Sequence, residues 1–288
     1  MHTPNHDGLA KKSLLLRRGY CQYAVCGPSR ASALTGRRPD STHVYDLHHY
    51  WRKEGGNFTT IPQFFKDNGY NTIGMGKIFH PGIASVVKLR QAYHSCVSWI
   101  DDEIGRILKA LEDEGLADDT IVSFWGDHGW ALGENGEWEK QTNFEIATHV
   151  PFMVRVPGLT DHGVKMNKPT ELVDLFPTLV EAEGLPKLQR CPVNVHNVKV
   201  CAEGDSMVPL MKNPNDGSWK QAAYSQYAHH LEGHGSFMGC TVRTDRYRYT
   251  EWPEFDFNSH QPTKQQGAEL YDHQKDPWET ENKADDQS

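Results

Sequence analysis

The chain has 288 residues, 37% apolar and 24% charged, with a mean hydropathy of −0.68. That mixture excludes disordered, collagenous and coiled-coil classes, and no run approaches the roughly 18 consecutive apolar residues of a membrane helix. Thirty Lys and Arg against 38 Asp and Glu leave a net charge of −8, which argues against a broadly basic nucleic-acid binder but permits a local basic pocket.

The first segment with chemical content is Cys26-Gly27-Pro28-Ser29-Arg30, followed by Leu34-Thr35-Gly36-Arg37. Pro28 can open a helix with its fixed φ, and the free N–H groups of a first turn attract anions. Arg30 and Arg37 add guanidinium forks suited to a tetrahedral oxyanion, so Cys26 is expected where an anion would bind. Further on, Thr59-Thr60-Ile61-Pro62 predicts a helix start, and Tyr70 to Met75 predicts a strand. Gly76 to Gly82 then forms a loop carrying Lys77, a point charge, and His80, a group able to carry a proton near neutral pH.

Val87, Tyr93, Val97, Ile100, Ile104, Leu108 and Leu111 predict a long amphipathic helix closed at Gly115. The near-continuous apolar run from Thr120 to Trp125 predicts a strand of the buried parallel kind. It ends at Gly126-Asp127-His128-Gly129, and ligands of open α/β sheets gather at the carboxyl ends of strands. Asp127 can offer a carboxylate oxygen there to a hard divalent cation. Val173 to Ala182 predicts another amphipathic helix, stopped by Gly184. From Gly239 the pattern changes, and Thr241-Val242-Arg243 with Tyr247-Arg248-Tyr249-Thr250 predicts a hairpin turning at Thr244-Asp245 in an antiparallel sheet.

The six cysteines form no CxxC pair, which disfavours a structural zinc ribbon. Cys191 and Cys201 flank a short Pro-containing loop and can close a local disulfide, as in an oxidising compartment. Asn57-Phe58-Thr59 is a glycosylation sequon. The start, Met1-His2-Thr3-Pro4, shows no basic-then-apolar leader, so a secretory protein would carry further residues ahead of it.

Cys26, Pro28, Ser29, Arg30, Leu34, Thr35, Gly36 and Arg37 together resemble the signature of the type I sulfatases, with every fixed position present at the right spacing. The run from Asp127 to Pro151, the segment Phe79-His80-Pro81-Gly82 and the stretch Arg243 to Thr250 are similar to the iduronate-2-sulfatase subgroup of that family. The resemblance implies an alkaline-phosphatase-like α/β core with a mixed, mostly parallel sheet flanked by helices, at residues 1–190. It also implies a smaller C-terminal α+β subdomain with an antiparallel sheet, at residues 191–288.

It further implies that Cys26 is oxidised to formylglycine by a formylglycine-generating enzyme and that Arg30, Lys77 and His80 are catalytic. Lys140 would bind the sulfate, and Cys26, Asp127 and His128 would hold Ca2+. The implied substrate is the 2-O-sulfate of iduronate in heparan or dermatan sulfate, met in lysosomes or outside the cell. No membrane and no nucleic acid are implied as partners.

Two family segments have no counterpart in the sequence: an initial strand ending in an Asp-Asp pair, and a central stretch that would fall between Ser85 and Val86. Both absences imply a weak catalyst. They keep a second reading open, an inactive paralogue or isoform that binds sulfated glycan.

Overall fold

The computed structural model describes residues 2–72, 89–195, 198–231 and 235–284. In chain order the elements are α1 (Pro4–Ala10), β1 (Leu14–Tyr20), α2 (Cys26–Thr35), α3 (Pro39–Thr42), α4 (Trp51–Glu54), α5 (Ile61–Asp67) and α6 (Leu89–Asp113). Then follow β2 (Val122–Trp125), β3 (Ala131–Leu132), β4 (Trp138–Glu139), α7 (Glu145–Thr148), β5 (His149–Arg155), β6 (Val164–Met166) and β7 (Thr170–Glu171). The rest are α8 (Leu175–Ala182), α9 (Val208–Lys212), β8 (Ala223–Leu231), β9 (Gly235–Arg243), β10 (Tyr247–Asp256) and β11 (Gln261–Asp272).

The first sheet has the order β2-β5-β1-β6, with β7 also paired to β1. β5 is antiparallel to both β1 and β2, while β6 and β7 are parallel to β1. Four of these five strands therefore run the same way and β5 alone is reversed, so the sheet is mixed with one predominant direction. Leu14, Leu16, Val150, Phe152, Val154 and Met166 fill the adjoining core with Leu172, Leu175, Met207 and Leu210 from the helical layer. Burying apolar side chains of this size contributes roughly 1.5–3 kcal/mol each, an upper estimate before chain entropy is counted.

β2 differs from the sequence expectation. All four of its residues are half-buried rather than enclosed, and its hydrogen-bonded neighbour β5 is antiparallel. A continuous apolar run shows that both faces meet other side chains, but it does not encode the direction of the neighbour. Among the described residues β2 is an edge strand.

The helices begin where their end chemistry allows. Thr60 caps α5, its Oγ1 accepting from Gln63 N, and Pro62 sits in the first turn. The Asp101 carboxylate of α6 accepts from the N–H groups of Asn5 and His6, satisfying the start of α1 and joining the two helices. Among the described residues α6 follows the predicted periodicity from Leu89, the expected first position Val87 lying outside them, with Gly115 beyond its end at φ 69°. Of the predicted strand Tyr70–Met75, residues 70–72 are described and form no strand, and residues 73–75 lie outside the described residues.

The second sheet, β11-β10-β9-β8, is wholly antiparallel. Its β9–β10 hairpin turns where the sequence predicts, with Arg248 opposite Arg243. β8 runs beside the segment leading to α2: Gln226 N donates to Gln22 O, Ser225 Oγ to Cys21 O, and Ala228 N to the Tyr23 hydroxyl.

Buried charges tie the second sheet to α7, which leads into β5, and to the segment after β11. Arg248, 1% exposed, donates to both Glu145 and Glu279, and Arg243 also donates to Glu145. Cys191 and Cys201 are joined by a disulfide, as their spacing suggested.

Candidate active site

β1 and β2 run in the same direction, so the segments leaving their carboxyl ends emerge on one side of the sheet. From β1 the chain passes through the buried residues Cys21 to Val25 into α2. From β2 it reaches Asp127 and His128 within three residues. Strand ends are where backbone groups lose their ladder partners, which makes them available to a ligand.

α2 begins at Cys26 itself, two residues ahead of the expected Pro28, after Val25 in extended conformation (φ −143°, ψ 139°). In its first turn Pro28 carries no N–H and Ser29 N donates to the Val25 carbonyl, closing the turn behind Cys26. Two glycines of the motif have steric causes. A Cβ on Gly27 would lie 2.6 Å from the carbonyl oxygen of Asp46, so the loop after α3 could not approach. Gly36 ends α2 at φ 66°, and a Cβ there would meet the Phe176 ring at 3.1 Å.

Cys26 Sγ is 3.1 Å from His128 Nε2. His128 Nδ1 is 2.8 Å from the carbonyl oxygen of Gly129, which can only accept, so Nδ1 carries a proton and Nε2 faces the thiol. Arg30 Nε donates to Asp127 Oδ2 at 2.8 Å, and Ser29 Oγ donates to the Asp127 main-chain oxygen at 2.5 Å. The first turn of α2 is thereby tied to the loop after β2. Cys26, Arg30, Asp127 and His128, chosen from sequence, thus meet at one place.

Cys26, Asp127 and His128 each turn one donor atom inward, all within 4.8 Å of one another. That spacing fits a divalent cation, and the hydrogen bond from His128 Nδ1 to a carbonyl is the anchoring that metal-ligating imidazoles use. A second acidic group, Glu145, His273 and Glu279, is equally close. There the Arg248 guanidinium already supplies the positive charge, so the group is an ion-pair network.

Lys140 stands near this centre. Its Nζ lies 4.7 Å over the Trp130 ring, and that ring is 6.3 Å from the His128 ring. Lys77 and His80 lie outside the described residues. Arg37 does not take the anion-facing place its motif position suggested. It is fully buried, donates to the carbonyls of Val195 and Val198, and stacks 3.9 Å over the Phe58 ring. Burial lowers its guanidinium to about 10, although Glu203 pulls the other way.

Sequence reasoning missed two contributors. Ser29 holds the Asp127 backbone, and its place inside the motif was the available signal. Trp130 follows Asp127-His128-Gly129 directly, but an isolated tryptophan carries no pattern.

Comparison with known proteins adds family information. The sulfatase family profile matches residues 1–83 and 78–185. A second profile, N-sulphoglucosamine sulphohydrolase, C-terminal, matches residues 133–288. The human iduronate 2-sulfatase is 29% identical over 451 aligned positions, covering 88% of this chain and 81% of the human protein. Because the chain has only 288 residues, the relative carries internal sequence with no counterpart here. The two pieces of the first match join near residue 80, close to the expected gap after Ser85.

A putative sulfatase from Bacteroides thetaiotaomicron superposes with a TM-score of 0.74 at 18% identity, covering 99% of this chain and 83% of that one. The phosphonate monoester hydrolase of Agrobacterium radiobacter gives 0.70 at 17%, covering 99% and 87%. At such identities the superpositions establish the fold, an alkaline-phosphatase-like α/β arrangement, and nothing about the ester hydrolysed.

Proposed function

The chain belongs to the sulfatase family of sulfuric ester hydrolases, and from that premise we propose that it removes the 2-O-sulfate of iduronate in heparan or dermatan sulfate. The observation that carries the chemistry is Cys26 at the first turn of α2, 3.1 Å from His128 and within reach of Asp127. The similarity to human iduronate 2-sulfatase across 88% of the chain supports the choice of sugar.

The family generally uses formylglycine and a metal ion. Formylglycine made from Cys26 by a formylglycine-generating enzyme would supply a hydrated aldehyde, an oxygen nucleophile for sulfur. Calcium is the proposed cation, held by Cys26, Asp127 and His128, and when bound it polarises the ester oxygens. Calcium takes six to eight oxygens, so the three side chains are a partial shell that water and sulfate oxygens would complete.

The chain's own residues do the rest. Arg30 fixes Asp127 and places a guanidinium beside the anion. His128, anchored through Nδ1, presents the Nε2 lone pair to the proposed cation. Lys140 adds a positive charge for the sulfate. Lys77 is proposed as a further sulfate contact and His80 as the proton donor or acceptor beside it. On a protein of net charge −8, such a pocket must concentrate positive charge locally to admit a polyanion.

No described helix is long and apolar enough to cross a membrane. The Cys191–Cys201 disulfide supports a lysosomal or secreted location.

Assaying the purified chain on a 2-sulfated iduronide and on a 6-sulfated glucosaminide tests the reading. Weak, calcium-dependent turnover of the iduronide that disappears in Cys26→Ala is expected. Preference for the glucosaminide would overturn the substrate, and turnover independent of Cys26 the mechanism. A second reading, a glycan-binding protein without turnover, is favoured by the internal sequence that the relative has and this chain lacks. Tight heparan sulfate binding with no sulfate release would select it.

A further inference from the structure

β3 and β4 form a short antiparallel ribbon in which Ala131 lies opposite Glu139 and Leu132 opposite Trp138. Continuing that register by one step places Trp130 opposite Lys140. The two side chains do meet, with Lys140 Nζ 4.7 Å over the indole ring. The same ring lies 6.3 Å from the His128 ring at a tilt of 30°. Trp130 therefore touches the lysine and adjoins the imidazole that faces Cys26.

Two further observations mark this ribbon as built for placement. Glu139, the residue before Lys140, has φ 72°, a left-handed backbone that a residue with a side chain adopts under strain. The Trp130 Nε1 is buried and has no hydrogen-bond partner among the described residues, so none of them locates the ring through a polar bond. A free lysine explores many rotamers, whereas an ammonium on an indole face is held by the ring's quadrupole.

We propose that Trp130 is a positioning residue, whose ring holds the Lys140 ammonium toward the anion site at Cys26, with the left-handed turn at Glu139 setting its direction. This rests on the reading of Lys140 as a sulfate contact.

Calorimetric titration of the whole chain with inorganic sulfate at low ionic strength tests it without requiring turnover. Lys140→Met is expected to weaken sulfate binding about tenfold, and Trp130→Leu about threefold to tenfold. Trp130→Phe, which keeps a ring face, should stay within about twofold of the parent. In the Lys140→Met background, Trp130→Leu should cause no further loss, because its effect passes through the lysine.

Losses that multiply in the double variant would overturn the proposal, as would a Trp130→Leu chain that binds sulfate like the parent. Unchanged binding in Lys140→Met would remove the sulfate role of Lys140 and the proposal with it, so the two failures are distinct. Should Trp130→Leu fail to fold, Glu139 gives the second handle. Glu139→Gly should keep sulfate affinity and Glu139→Val should lose it. Equal affinity in those two variants would contradict the proposal.

Discussion

Arg30 Nε and Asp127 Oδ2 are joined across 2.8 Å, with 10% and 16% of their side chains exposed. One residue comes from the first turns of α2 and the other from the loop after β2, so this ion pair, with the Ser29 hydroxyl on the Asp127 carbonyl, ties the helix of the proposed nucleophile to the loop of the proposed cation ligands. Arg30→Gln removes the charge and frees Asp127. Sulfate-ester turnover, measured as kcat/KM, is expected to fall by about 10²–10³, and Arg30→Lys to recover only part because it lacks the fork. A loss below tenfold in Arg30→Gln would show that this pair is structural alone.

Arg37 has the opposite role. Its guanidinium is spent on the carbonyls of Val195 and Val198 and on the Phe58 ring, so it ties the end of α2 to the loop that the disulfide closes. Arg37→Ala leaves buried carbonyls unpaired and a void, and is expected to cost about 2–4 kcal/mol. Sulfate affinity of the protein that remains folded should be unchanged. Thermal melting with sulfate titration separates the two effects.

The buried pairs around Arg248 predict an acid limit to stability. Burial pushes the Glu145 carboxyl up, but Arg248 and Arg243 outweigh it and hold the group down at about 2. A depressed acid contributes stability above its unfolded value of about 4.3, and that contribution is lost as pH falls toward 2. The melting temperature should therefore drop between about pH 4.5 and pH 2. Arg248→Met should lose about 3–5 kcal/mol at neutral pH, since two carboxylates lose their shared partner. A parent whose melting temperature is flat across that range would contradict the assignment.

The Cys191–Cys201 disulfide closes a loop of sequence separation 10. Replacing both residues by serine is expected to cost about 2–3 kcal/mol. Comparing melts of the oxidised and reduced parent with the double variant checks this. If reduction leaves the melting temperature unchanged, the loop is already held by Arg37.

The parts legible in the sequence were those where local chemistry decides. Thr60-Ile61-Pro62 marks a helix start by capping alone, and the hairpin at Thr244-Asp245 follows from alternation and a turn. Asp127-His128 could be placed at a strand end from the apolar run before it, whereas its pairing with Cys26 rested on the resemblance to the type I sulfatases, since the strand ahead of Cys26 was not read from the sequence.

What stayed hidden depends on long-range packing. Nothing near Arg37 shows that it faces the backbone of Val195 and Val198 rather than a ligand. The edge position of β2 depends on which strands surround it, and the cross-strand meeting of Trp130 and Lys140 depends on a ribbon too short to show alternation.

The most direct measurement is the mass of the tryptic peptide containing Cys26, taken from protein matured in a secretory route that carries the converting enzyme. The account predicts the aldehyde, trapped by a carbonyl reagent. An intact, alkylatable thiol at position 26 in all of that material would contradict it.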